Sequence, residues 1–212
     1  MDVMKNLILE ACVETLEEAI KAEENGAYRL ELCSRLDLDG LTPDIELTKQ
    51  VLEKVSIPIK VMIRPRGGDF VYSDSELEQM QKEIENFKKL KVQGVVFGML
   101  DNENHLQLSQ TRELAELASP LEVTFHKAID ETTDILSATA ELMQIGDITS
   151  ILTSGGAPTA IEGNEMLKRM IHTAGTSLTI IPAGRITNDN LSEVHQLIGA
   201  REYHGRRIVG EL

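Results

Sequence analysis

The sequence has few aromatic residues and few cysteines. Among 212 residues there is no tryptophan, only 3% are aromatic, and the two cysteines are Cys12 and Cys33. The scarcity of aromatic rings leaves few platforms on which nucleic-acid bases or sugar rings could stack. Two cysteines are too few for a disulfide-stabilised scaffold, and we expect both to be reduced.

Basic residues and long apolar runs are also scarce. Lys and Arg number 21 against 35 Asp and Glu, which gives a formal net charge of −14. A surface with this charge repels phosphate backbones and anionic lipids, so we expect no nucleic-acid or membrane partner. No apolar run approaches the ~20 residues needed to span a bilayer. These features predict a cytoplasmic globular protein.

The chain does contain a regular alternation of short apolar runs and longer helical patterns. We predict strands at 7–13, 28–33, 58–64, 94–99, 122–128, 150–154, 178–183 and 202–204, with helices at 16–24, 44–54, 74–89, 109–118, 134–144, 162–173 and 190–198. Eight strands separated by seven helices are typical of a parallel βα alternation.

A closed barrel and an open doubly wound sheet both satisfy this alternation. The strand count and the polar residues inside several strands favour the barrel. No linker divides the chain, so we predict an α/β fold with a single (β/α)₈ barrel domain of the TIM type over residues 1–212. We expect the last helix of the usual set to be absent or truncated. A second subunit would cover the flank of the barrel that the missing helix exposes.

Polar residues occur at strand positions where apolar ones are expected. Because side chains alternate along a strand, residue parity assigns them to faces. An unpaired buried carboxylate costs several kcal/mol, so it needs a cation, a proton or a ligand. Charges that converge at a barrel mouth indicate a functional site, with a structural ion-pair network as the alternative. The side chains that parity places inside are Glu10, Cys12, Glu31, Cys33, Arg64, His126 and His204.

Glycine-containing segments follow three predicted strands, at 64–69 (RPRGGD), 153–156 (TSGG) and 182–185 (PAGR). Glycine lets backbone amides approach an anion, and the loops after late barrel strands often hold phosphate. Tight strand-to-helix turns also use glycine and are the alternative. The predicted anion-binding residues are Arg66, Ser154, Gly155, Gly156, Gly184 and His204.

These residues lie in segments that resemble the CutC family, whose members are named copper homeostasis proteins. The segments span almost the whole chain in order, including EAC at 10–12, RLELC at 29–33, VMIRPRGGDFVYS at 61–73, TFHKA at 124–128, LTSGGAP at 152–158 and REYHG at 201–205. The resemblance implies a TIM-type barrel, a cytoplasmic homodimer or higher homo-oligomer, and copper(I) bound by two cysteines that map onto Cys12 and Cys33.

The chain departs from the family pattern at several positions near the expected site. Lys127 stands where the family usually has arginine, so a bidentate anion contact there becomes a point charge. Arg185 and Arg206 stand where smaller residues are common in relatives. These differences put in doubt the direct transfer of a phosphate site in the late loops, although added arginines could also strengthen one.

The residues themselves leave three functions open. Thiolates on adjacent strands suit copper(I), with simple packing of two buried cysteines as the alternative. An enzyme could act on a small anionic, possibly phosphorylated, substrate: Arg64 and Arg66 would hold the anion, and His126 would move protons. Glu10 or Glu31 would act as acid or base or would orient the histidine. A divalent metal such as zinc or manganese could be held by Glu10, Glu31 and His126. We take copper handling as the expected function.

Overall fold

The fold is built on one sheet of eight parallel strands. The computed structural model describes residues 6–212, so the first five residues of the predicted domain lie outside it. The strands are β1 (Ile8–Val13), β2 (Arg29–Leu32), β3 (Ile59–Met62), β4 (Gly94–Phe97), β5 (Glu122–Phe125), β6 (Ile148–Thr153), β7 (Thr179–Pro182) and β8 (Glu202–Gly205).

The sheet curls into a nearly closed barrel. Strands pair in parallel in the order β7-β6-β5-β4-β3-β2-β1-β8, so the first and last strands are neighbours, as a TIM-type barrel requires. The two ends of this order are β7 and β8, and a bridge between Thr187 and Arg207 joins the segments that follow them. The predicted barrel is confirmed, and the open doubly wound sheet is excluded.

Seven α-helices connect the strands in residues 6–212, and short 3-10 helices follow β2 (Leu36–Leu38) and β5 (Lys127–Glu131). None of these helices combines the length and the apolar character needed to cross a bilayer. Residues 206–212, which follow β8, contain no helix. The α-helices are α1 (Leu16–Glu24), α2 (Ile45–Lys54), α3 (Asp74–Leu90), α4 (Leu108–Ala118), α5 (Ile135–Leu142), α6 (Asn164–Ala174) and α7 (Leu191–Ile198).

Alternation along the strands gives each strand two environments. Outward side chains such as Leu30, Leu32 and Phe125 pack with the helices in the main hydrophobic core. Inside the barrel the apolar side chains form only small separate clusters, and charged side chains occupy much of the remaining space. The interior clusters are Cys12, Cys33, Met62 and Val96, and Leu152, Ile181 and Ala183.

Candidate functional site in the barrel mouth

The carboxyl ends of the strands surround a cavity of about 540 Å³. In TIM-type barrels this end carries the active site, because the loops that follow the strands meet there. Glu10 and Cys33 are buried in contact with residues that line the cavity, whereas Arg66 and Gly155 do not line it. Of the predicted site residues, those that line it are Cys12, Glu31, Arg64, His126, Ser154, Gly156, Gly184 and His204.

The pairing of β1 with β2 brings the two cysteines together. Cys12 lies opposite Glu31 in the strand register, and Cys33 follows the end of β2. Their sulfur atoms are 3.8 Å apart, and both are free thiols. Cys12 lines the cavity, whereas Cys33 is fully buried. One of the two thiols is therefore reachable from the cavity.

The two thiols differ in acidity. The hydrogen bond between them lowers the pKa of Cys12 to about 5; His204 adds to this effect, and burial opposes it. The same hydrogen bond and burial hold the pKa of Cys33 well above its ordinary value. At neutral pH Cys12 is therefore the thiolate of the pair, and Cys33 keeps its proton.

A chain of ion pairs extends from the cavity through the barrel interior. His204 Nδ1 lies 2.9 Å from Glu10 Oε1. Arg29 then donates from Nε to Glu10 Oε2 at 2.5 Å and from Nη2 to Glu202 Oε2 at 2.8 Å. Arg29 and Glu202 line a second cavity, of about 300 Å³, at the amino-terminal end of the strands. This series of ion pairs thus connects the two ends of the barrel.

These contacts fix the protonation of the buried groups. Burial disfavours the charged ring of His204, but Glu31, Cys12 and Glu10 outweigh burial and hold the pKa of His204 well above its ordinary value. Burial also acts against the charged form of Glu10, yet His204 and Arg29 hold the pKa of Glu10 well below its usual range. Burial raises the pKa of Glu31 to about 8, with His204 opposing the shift. Near neutral pH, Glu10 and His204 form an ion pair while Glu31 mainly carries a proton.

Two groups of side chains could hold a metal ion. The ligand atoms of Cys12, Glu31 and Cys33 lie within 4.8 Å of one another, and so do those of Glu10, Glu31 and His204. The second group contains His204 in place of His126, which the divalent-metal hypothesis included. Because a protonated imidazole has no lone pair to offer, the group with two thiols is the better metal site.

His126 reaches the cavity from the end of β5. Its Nδ1 accepts a hydrogen bond from the Ala128 amide at 3.2 Å, so the proton of the neutral ring is on Nε2. Burial, reinforced by the charge of Arg64, lowers the pKa of His126 to about 3. Nε2 is buried and has no hydrogen-bond partner in residues 6–212. His126, which lines the cavity, therefore carries a neutral N–H donor without a partner.

Arg64, which follows β3, is held by backbone carbonyls. Its Nη1 donates to the carbonyls of Leu38 and Gly40 at 2.8 and 3.2 Å, and its Nη2 donates to the Gly68 carbonyl at 3.0 Å. The remaining nitrogen, Nε, is buried and without a partner among the described residues. The loops after β2 and β3 therefore fix the guanidinium in place, while two of its five N–H groups, at Nε and Nη2, stay free.

The glycine-containing loop after β6 directs its amides at a carboxylate. The amides of Ser154 and Gly156 donate to Asp130 at 3.0 and 2.9 Å. Lys127 Nζ also lies 3.0 Å from Asp130. An anion bound to these amides would have to displace the Asp130 side chain, and anion binding at this loop stays a prediction.

Arg66 stabilises the loop in which it occurs. Its guanidinium donates to Glu76 at 2.6 Å, to the Asp69 carboxylate at 2.8 Å and to the Val71 carbonyl at 2.6 Å. These contacts connect residues 66–71 to the start of α3. Anion binding by Arg66 would require these bonds to be exchanged, because the side chain does not line the cavity.

Three important charged residues were not singled out by the sequence analysis. Arg29 and Lys60 are buried inside the barrel, and their parity with Glu31 and Met62 already placed them on the inward face. Asp130 gave no comparable signal, because its amide partners are 24 and 26 residues further along the chain. Only the folded arrangement of two loops brings these groups together.

The fold and its mouth cavity define a TIM-barrel protein with thiol and charged groups at the carboxyl end of the barrel. A family model described as the CutC family matches residues 7–209. The chain belongs to the CutC family, as the sequence resemblance indicated.

Relatives and solved structures agree with this assignment. The human copper homeostasis protein cutC homolog is 41% identical over 197 residues, which cover 93% of this chain and 72% of that protein. A CutC family protein of Photobacterium profundum is 39% identical, with 92% and 80% covered. A crystal structure of a CutC protein from Streptococcus agalactiae has a TM-score of 0.89 and 31% identity, covering 95% and 99% of the two chains. DHDPS from Cyanidioschyzon merolae, with a TM-score of 0.69, 14% identity and 95% and 70% covered, shares the fold alone.

Proposed function

We propose that this protein binds copper(I) through Cys12 and Cys33 and takes part in copper homeostasis. The observation that carries the proposal is the 3.8 Å separation of two free sulfur atoms beside the mouth cavity. Thiolates are soft ligands, which favour copper(I) over hard cations. The name of the human relative, copper homeostasis protein, supports the same function.

The surroundings of the thiols suit a soft ion. Metal–thiolate bonds are about 2.3 Å long, and because 3.8 Å is less than two such bonds, one ion could contact both sulfurs without movement of the strands. Met62 packs in the same buried cluster and also lines the cavity. Its thioether is a further soft donor. Exposure of Cys12 to the cavity gives an ion a route to the pair.

Two further properties belong to the proposal, namely a cytoplasmic location and a homo-oligomeric state. Thiols this close remain available for copper(I) only in a reducing compartment. Residues 206–212 provide no helix to cover the flank of β8, and a second copy of the chain would cover it. Light scattering during gel filtration tests the assembly, and a monomer at micromolar concentration would contradict it.

Anaerobic competition for copper(I) against the chelator bicinchoninate tests the site. We expect the wild type to withdraw one ion per chain, and Cys12→Ser/Cys33→Ser to bind at least about 100-fold more weakly, because loss of the groups behind metal ligands already costs 10–100-fold. Met80→Leu removes a sulfur from the outer core and serves as the matched control, with unchanged affinity. A double cysteine variant that competes as well as the wild type would show that the two-thiol site is wrong.

A further inference from the structure

The mouth cavity contains polar groups that copper binding by the thiols does not use. Six buried side-chain atoms of the described residues have no hydrogen-bond partner, and three of them belong to this cavity: Oε1 of Glu31, Nε of Arg64 and Nε2 of His126. All three residues line the cavity and are only 2–3% exposed. Buried polar groups are normally paired, because an unpaired one loses its hydration without compensation. Three such atoms around one cavity indicate a ligand that pairs with them.

Arg64 is in addition a buried charge without a counter-ion. The other buried Arg and Lys side chains of residues 6–212 have carboxylate partners, at 2.5 Å for Arg29 and 3.2 Å for Lys60. No carboxylate of the described residues lies within 4.0 Å of the Arg64 guanidinium, which contacts carbonyls and the face of Phe70. A buried guanidinium in this setting attracts an anion.

The free donors define the chemistry of that anion. Arg64 offers the N–H of Nε and one N–H of Nη2, since its other three N–H groups are engaged, and His126 offers one N–H at Nε2. Phe70 contacts both side chains, with its ring centroid 4.9 Å from the Arg64 Cζ and 4.9 Å from the His126 centroid. Donors on two side chains that contact the same aromatic ring suit the two oxygens of a carboxylate.

Glu31 adds a second requirement. Its Oε2 is engaged with Cys33 at 3.5 Å and lies 3.8 Å from His204, whereas its Oε1 has no partner among the described residues. A hydroxyl group fits this position, because it can donate to a carboxylate or accept from a carboxyl group. We propose that the mouth cavity binds a small hydroxycarboxylic acid, whose carboxylate bonds Arg64 and His126 and whose hydroxyl bonds Glu31.

The cavity and its rim set the range of acids to test. Its volume of about 540 Å³ lies within the roughly 300–1,000 Å³ of typical ligand pockets, which leaves room for acids of the size of malate or citrate. Arg185 lines the cavity and is exposed at its rim, so it could meet a second carboxylate. The probes therefore include acids with one, two and three carboxylates.

Ligand-observed NMR on metal-free protein tests the proposal with lactate, malate and citrate. Lactamide is the matched probe without the charge, and propionate and succinate are matched probes without the hydroxyl. We expect a hydroxy acid to bind about 10-fold or more tightly than its amide and about 3-fold or more tightly than its deoxy analogue, since charged hydrogen bonds contribute more than neutral ones. Because no copper is present, a failed copper titration leaves this test unaffected.

Variants show whether binding occurs at the proposed atoms. Arg64→Met removes the charge, whereas His126→Asn removes the Nε2 donor and keeps an acceptor for the Ala128 amide. Each should weaken malate binding about 10-fold or more. Arg169→Gln makes the same charge change on α6 outside the cavity and should stay within about twofold of the wild type.

Several results would overturn the proposal. These are equal binding of lactate and lactamide, retention of malate binding in His126→Asn, or an equal loss in Arg169→Gln. If Arg64→Met does not fold, the comparison of His126→Asn with Arg169→Gln decides the question.

Discussion

Gly98 lies directly against the ring of His126. A Cβ atom added at Gly98 would be 2.5 Å from Nδ1 and 2.8 Å from Cε1 of that ring. The two residues follow neighbouring strands, and the His126 amide donates to the Phe97 carbonyl at 2.9 Å. The missing side chain on one strand therefore makes room for the imidazole on the next.

Gly98→Ala should displace the His126 ring and weaken its bond to the Ala128 amide. We expect a loss of about 1–3 kcal/mol in the free energy of unfolding, as for other overpacked sites, measured by urea denaturation. Gly146→Ala is the control, since an added Cβ there meets nothing within 4 Å, and its stability should equal or exceed that of the wild type. Equal stability of the two variants would mean that Gly98 does not constrain His126.

The depressed pKa of His126 predicts a specific acid sensitivity. The ring has a pKa of about 3 in the folded protein against an ordinary value of 6.5, so between these values the unfolded chain binds the extra proton. Stability is therefore complete above pH 6.5 and falls as the pH decreases toward 3. From pH 7.5 to 5.0 this residue alone should remove about 2 kcal/mol.

Urea denaturation of the wild type and His126→Asn at both pH values isolates that contribution, because asparagine does not titrate. The wild type should lose about 2 kcal/mol more than the variant over the same interval. Parallel losses would mean that His126 is not held neutral by the fold.

Much of the barrel interior could be predicted because sidedness follows from the backbone alone. Strict alternation placed Glu10, Glu31 and His204 inward, and the structure has them in contact there. The same rule applied to Arg29 and Lys60, but long basic side chains near strand starts are usually solvated. Their burial depends on carboxylates contributed by other strands.

Partners that meet only through loops could not be predicted. The fifth strand was predicted over 122–128, yet β5 ends at Phe125 and Lys127–Glu131 forms a 3-10 helix. That turn brings Asp130 to the amides of Ser154 and Gly156. Sequence periodicity carries no information on which of two loops will supply the hydrogen-bond acceptor. That Asp130 already accepts from the amides of this glycine-containing loop is therefore visible only in the structure.

Two buried charges inside the barrel should differ widely in their effect on stability. Glu10→Gln removes the carboxylate shared by Arg29 and His204, and loss of one partner from a buried ion pair costs about 3–5 kcal/mol. Lys60→Met should cost about 1 kcal/mol or less, because its partner Glu122 is 40% exposed and stays hydrated.

Guanidinium denaturation measures the free energy of unfolding of both variants. The two hydroxyls near Lys60 explain why the barrel should tolerate Lys60→Met. Thr124 and Ser150 lie 2.7 Å apart and bond each other without the lysine. A Lys60→Met variant less stable than Glu10→Gln would reverse the expected order and show that Lys60 stabilises the barrel more than the Glu10 ion pairs do.

The thiol pair should react unequally with iodoacetamide. Cys12 lines the cavity while Cys33 does not, and the thiolate is the reactive form. With a pKa of about 5, Cys12 should be alkylated at a nearly constant rate from pH 6 to 8, whereas an ordinary cysteine reacts faster as the pH rises. Peptide mass spectrometry over time measures both sites. Cys33→Ala removes the hydrogen bond that lowers the pKa of Cys12, so the rate should then increase with pH.

Copper(I) bound to the pair should protect Cys12, and unchanged alkylation of the copper-loaded protein would place the ion elsewhere.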